Sequence, residues 1–282
     1  MFTVRTLALI AAFLPSAALA TNVIGTLPGN TTWTAAGSPW HLTGDVTVPV
    51  GVTLTIEPGA QVTFAATDGL GAGVDTTRVE LIIDGALTVQ GTSTSPVTIT
   101  ATSGFGTRVQ GTADFSNAIL DGGRECLRVS SGTLNFNNST LRNCFQALNA
   151  LGGTSNLNYS TVRTSGSNTG YYAISLGAPA NLIHNTITGN NYGAIRVYSF
   201  TGAVNIYDNI ITSNGTYGLE FSSFSSPSRN VSYNNVWNHS TNYSSVSPGT
   251  GSISANPLFV SPTNARITEF SPARLMASDG TD

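Results

Sequence analysis

Arg108, Arg128, Asn149, Ser175, Arg196 and Glu220 follow one another at intervals of 20, 21, 26, 21 and 24 residues, in a 282-residue chain of which only 9% is charged. Apolar neighbours flank them, as Leu127 and Val129 flank Arg128 and Ile195 and Val197 flank Arg196. In an extended chain such alternation turns the polar residue outward and its neighbours inward. Two guanidinium groups one strand apart repel unless something relieves them. The relief is either an anion such as a uronate or sulfate, which arginine holds in bidentate fashion, or a local carboxylate, here Asp121 or Glu125. Arg196 and Glu220 read most simply as a cross-strand ion pair. Arg142 and Arg163 form a second outward column that poses the same choice.

Residues two dozen positions apart become neighbours only if the chain winds. A repeat that winds it runs from Phe115 to Asn238, with Asn117, Ser139, Ser160, Asn185, Asn209 and Asn234 as polar anchors 22, 21, 25, 24 and 25 residues apart. Between anchors lie three short apolar runs, such as Ala194 to Val197, Val204 to Tyr207 and Ile210 to Thr212, bounded by breakers such as Thr201-Gly202 and Asn214-Gly215. Runs of this length with alternating polarity are strands, and a fixed long period is the sign of a solenoid. The chain is thus expected to be all-β, a parallel β-helix with three strands per coil and roughly eight to ten coils. Like residues then stack: Ile119, Leu141, Val162, Ile187, Ile211 and Val236 as an inward column, and the Asn/Ser anchors as an amide ladder at a tight bend.

The ends and the composition narrow the class. Residues 1–20 hold one charge, Arg5, an apolar run from Leu7 to Leu14, and Ala18-Leu19-Ala20 before Thr21, the pattern of a secretory signal too short to span a bilayer. Residues 21–37 are expected to form an N-terminal entry or cap, 38–238 the β-helix and 239–282 a C-terminal cap or tail. Without the signal, 10 arginines face 14 acidic groups and there is no lysine. No basic stripe exists to bind nucleic acid, and no later stretch reaches the length of a membrane span. Cys126 and Cys144 fall in neighbouring coils, and either a disulfide or two buried thiols satisfies that spacing.

The opening GDVTVPVGVTLTIEPGAQVTF, the coil LIIDGALTVQGT with SPVTIT, and the later Asn-anchored coils resemble secreted bacterial right-handed parallel β-helix proteins of the pectin-lyase-like superfamily. The resemblance covers nearly all of Ser38 to Asn238. It implies right-handed winding and a substrate groove on the outer face that carries Arg108 to Glu220. A pectate-type lyase would require calcium-binding carboxylates beside a basic residue, and Asp121 and Glu125 are the acidic residues close enough in sequence to converge. A glycoside hydrolase would require adjacent carboxylates, and no Asp-Asp pair occurs. Tyr171, Tyr172, Tyr192, Tyr198, Tyr217 and Phe224 cluster in or beside loops near this face, where rings stack on sugars or cover the core. His41, His184 and His239 lie too far apart to share a site. The expected function is a secreted or cell-surface scaffold that binds polysaccharide without catalysis and needs no cofactor. Arg108, Arg128, Asn149, Ser175, Arg196, Tyr192 and Tyr217 are its contact residues. The alternative is a polysaccharide lyase or glycoside hydrolase acting on an acidic glycan along the same face, with Arg108, Arg128 and Glu220 as catalytic candidates and calcium only in the lyase case.

Overall fold

The computed structural model describes residues 19–166, 170–222, 228–261 and 264–280. The apolar run of the signal segment and Phe224 lie outside the described residues. Among those described there is no helix, and so none long and apolar enough to cross a membrane. Twenty-seven strands pair in parallel and wind into a solenoid with three faces.

One face is a nine-stranded sheet, one strand per turn, from Thr31–Trp33 to Ser228–Ser232. We call it the asparagine face, because its outward column reads Thr88, Asp114, Asn135, Asn156, Asn181, Asn205 and Asn230 in register. The threonine face carries Thr98, Ile119, Thr140, Thr161, Thr186 and Ile210 outward. The arginine face runs from Glu80–Ile83 through Gly106–Val109, Glu125–Val129, Gln146–Ala150, Tyr172–Leu176, Gly193–Val197 and Tyr217–Phe221 to Thr241–Ser244. The long strands Thr21–Thr26 and Trp40–Val48 pass from the threonine to the arginine face without a break, so the winding is already under way at Thr21.

Inward residues fill the interior in columns. Phe115 and Phe136 lie one turn apart with ring centroids at 5.5 Å, and Leu157, Leu182 and Ile206 continue above them, all buried. Each fully buried aliphatic of this kind contributes on the order of 2 kcal/mol. Cys126 and Cys144 are joined in a disulfide, with Cα atoms 5.7 Å apart. Cys126 faces the backbone between Gln146 and Leu148, so the bridge runs diagonally to the bend where Cys144 sits.

The anchors form the expected buried ladder. The Ser139 amide donates to Ser160 Oγ at 3.1 Å, Ser160 to Asn185 Oδ1 at 3.0 Å, Asn185 to Asn209 Oδ1 at 2.9 Å and Asn209 to Asn234 Oδ1 at 3.1 Å. The first rung differs from the sequence reading. Ala118, not Asn117, donates to Ser139 Oγ, and Asn117 takes the left-handed position just before it, at φ 47°. The slip by one residue carries through the strand: Leu120 is buried opposite Leu141, while Ile119 faces out opposite Thr140. Asn serves both the rung and the left-handed bend, so residue type alone did not separate the two.

Candidate functional site

The six residues read as one column do line up. Arg108 lies opposite Arg128, Arg128 opposite Asn149, Asn149 opposite Ser175, Ser175 opposite Arg196 and Arg196 opposite Glu220. Period-two alternation keeps them on the outer side while Leu127, Leu148, Ile174, Ile195 and Leu219 fill the core.

The two stacked arginines are relieved within the protein and lean to different partners. Arg128 Nη1 sits 3.2 Å from each oxygen of Glu125, and Asn149 Nδ2 donates to Glu125 Oε1 at 3.0 Å. Arg108 Nη2 donates to Gln110 Oε1 at 2.6 Å, and Gln110 in turn donates to Asp84. The Nε–H groups of Arg108, Arg128 and Arg196 are buried without a hydrogen-bond partner. Arg124 projects beside this column, its Cζ 3.7 Å from the centroid of Phe145 and 5.2 Å from that of Tyr171. A cleft of about 620 Å³ opens there, walled by Thr77, Arg78, Thr102, Arg124 and Phe145.

Further along, Tyr172 lies over Gly193, where any Cβ would come within 2.5 Å of the ring, and reaches two turns onward to donate its hydroxyl to Glu220. Burial, and then the bond to Glu220, push the Tyr172 hydroxyl well above its ordinary value, so it is a proton donor and not a base. Tyr192 and Tyr217 flank it at 5.3 and 6.0 Å. Arg196 lies between rings and acid, 3.8 Å from Glu220 and 4.9 Å from the Tyr198 centroid. The buried Ser175 receives a hydrogen bond from Gln146 Nε2 at 2.7 Å.

Asp121 and Glu125 do not converge. Asp121 accepts from Arg142 at 2.8 Å and Asn143 at 2.7 Å on the threonine-face side, and Glu125 is held by Arg128 and Asn149 on the arginine face. Each carboxylate has its own arginine and the pairs point apart, so they are not two ligands of one metal. Among the described residues no group of three or more His, Cys, Asp or Glu is placed to hold a metal ion.

Two features escaped the sequence reading. A second buried ladder stands five residues beyond the first: Cys144 donates to Ser165 Oγ, Ser165 to Asn190 Oδ1 and Asn190 to Asn214 Oδ1, with Asn214 in contact with His239. His239 is thus a rung; burial depresses its pKa, and a neutral ring protonated on Nδ1 satisfies both Asn214 and Asn242. Its signal was present in Ser160/Ser165, Asn185/Asn190 and Asn209/Asn214 at the spacing of the first ladder. The other feature is an acidic group at the start of the arginine face. The buried Asp45 accepts the Glu80 amide at 2.6 Å, and Glu80 accepts the amides of Val74 and Asp75 at 2.8 and 2.7 Å. Asp45 Oδ2 and Glu80 Oε2 remain buried without partners.

The geometry defines the chain as a parallel β-solenoid of about nine turns whose arginine face combines cations, amides and rings. No protein-family model matches it, and no curated protein matches it in sequence.

Proposed function

We propose that the chain is an exported β-solenoid of pectin-lyase-like kind that holds polysaccharide along its arginine face and does not cleave it. One observation carries this reading. The carboxylates described along that column are engaged, Glu125 with Arg128 and Asn149, Asp84 with Gln110 and Glu220 with Tyr172, while three arginines and several rings remain at the surface or beside it. Acid/base cleavage of a glycan needs a free carboxylate, or a base near neutrality, at the scissile bond. Asp45, whose carboxyl is raised to about 7, and Glu80 lie at the start of the face but are completely buried, out of reach of a bound polymer. Binding needs only what is present, since rings stack on sugars and arginines take carboxylates and hydroxyls. The disulfide supports export, because such bridges persist in oxidising compartments.

The test incubates the purified protein with acidic and neutral polysaccharides. It measures retention on the polymer, ultraviolet absorbance of unsaturated product, and reducing ends. Retention on acidic polymer without product is expected, with Arg128→Ala weakening it about tenfold, the loss of one charged contact. Turnover abolished by Arg128→Ala or Glu220→Gln would establish the lyase or hydrolase alternative instead.

A further inference from the structure

A second surface lies on another edge of the solenoid. At six successive bends from the asparagine to the threonine face, from Asn117 to Tyr233, one residue adopts a left-handed backbone. In two early turns it is Asn117 or Asn138, at φ 47° and 49°, the residue type that tolerates this best. In the next four it is Tyr159, His184, Asp208 and Tyr233, at φ 51° to 59°. Tyr159 and Tyr233 depart from the residue types that tolerate this conformation, each at roughly 1 kcal/mol. The C-terminal segment lies across those same four bends. Ser278 donates both its amide and its hydroxyl to Asp208 at 2.7 Å, and His184 Nε2 lies 3.7 Å from Asp208 and 3.6 Å from Asp279.

The segment does not fill the space it covers. A cavity of about 450 Å³ remains, with Tyr159, Tyr233, Asp208, Asn235, Arg266 and Met276 among its walls. Tyr159 stacks on His184 at 4.7 Å and 7°, which fixes its ring while leaving it 60% exposed. Arg266 belongs to the hairpin strand Asn264–Ile267, and no ion pair involves it among the described residues. A pocket of this size with aromatic walls and a few convergent polar groups suits one small ring.

We propose that this cavity binds a single six-membered sugar ring bearing a carboxylate. Arg266 takes the carboxylate, a tyrosine ring packs on the sugar face, and Asn235 meets a hydroxyl. The site is independent of the arginine face and stands or falls separately from polymer binding there.

Calorimetric titration of the full chain with sodium glucuronate, and in parallel with glucose, tests it. Glucuronate is expected to bind at least about tenfold more tightly than glucose, and Arg266→Ala to remove about that factor, as loss of a charge-assisted contact does. The part of glucuronate binding that Arg266→Ala removes is expected to persist in an Arg128→Ala background, which separates this site from the arginine face. Circular dichroism and melting of Arg266→Ala establish that the hairpin is intact. If it is not, Tyr159→Ala, a substitution on the solenoid itself, is expected to weaken glucuronate binding in its place. Absence of glucuronate binding at millimolar concentration, equal binding of glucose, or undiminished binding in the folded Arg266→Ala variant would overturn the proposal.

Discussion

At the scale of single residues the most consequential group is Asp45. Burial, reinforced by the charges of Asp68 and Glu80, raises its carboxyl to about 7, although the Glu80 amide it accepts works the other way. Glu80 is raised as well, by burial, with Arg108 pulling down and Asp75 pushing up. A folded-state pKa above the unfolded one means that the native state binds the extra proton. The stability tied to Asp45 is therefore complete in acid below the unfolded value of 3.8 and is lost as pH rises through about 7. The loss is on the order of 4 kcal/mol at full ionisation. His239 works in the opposite sense, since its depressed pKa makes protonation below its ordinary value of 6.5 oppose the fold. Comparing the wild type with Asp45→Asn separates the two, because the amide keeps the acceptor for Glu80 and cannot ionise. Urea unfolding at pH 4.5 and 7.5 is expected to show the variant gaining on the wild type at the higher pH. An equal pH response in both proteins would mean that Asp45 is not the group concerned.

At the scale of elements, each turn is held by two kinds of ladder that look alike in sequence and differ in burial. Asn185, Asn209 and Asn234 are buried and spend their amides on the backbone of adjacent turns, as when Asn209 Nδ2 donates to the Leu182 carbonyl at 2.8 Å. Asn156, Asn181 and Asn205 bond side chain to side chain on the outer surface, at 2.7 Å in each link. Removing a buried partner strands its neighbours away from water, whereas an exposed one is replaced by solvent. Asn209→Ala is therefore expected to lower the unfolding free energy by about 2–4 kcal/mol and Asn181→Ala by less than about 1 kcal/mol, measured by chemical denaturation. A similar effect from both would show that the ladders are equivalent. The same distinction marks how far the sequence could be read. The three-strand turn, the period and the Arg108-to-Glu220 column follow from alternation and spacing, which are local properties. The partners of the arginines do not follow, because Glu125 and Asp121 are within reach of several arginines until the strand positions decide which one each meets. The second ladder and the covering of the Tyr159-to-Tyr233 edge were hidden for different reasons. Its rungs include Cys144 and His239 among the asparagines and serines, and the covering depends on a segment some seventy residues away, with Ser278 bound to Asp208.

At the scale of the whole molecule, a solenoid is a stack of strands whose last turn offers unpaired backbone groups to any other chain. The sequence from Asn264 onward carries no clear polar cap, yet an earlier part of the C-terminal region covers the edge of the threonine face. Tyr233 donates its amide to Thr250 O at 2.8 Å, Val236 to Ile253 O at 3.0 Å, and Ile253 returns a bond to Asn234 O at 2.9 Å. The buried ladder ends at the same place, with the Asn234 amide donating to Ser252 Oγ at 3.2 Å. A partial further turn thus terminates both the sheet and the ladder. Replacing Ile253 by proline removes the amide that bonds Asn234 and bars the segment from lying flat on the edge. The wild type is expected to keep a constant elution volume in size-exclusion chromatography as concentration rises. Ile253→Pro is expected to elute progressively earlier, with its far-ultraviolet circular dichroism still that of a β protein, because the turns beneath are unaltered. A variant that keeps the wild-type elution volume at every concentration would show that the edge is guarded by something other than these bonds. One that loses its β signal would show that the last turn supports the stack as well as closing it.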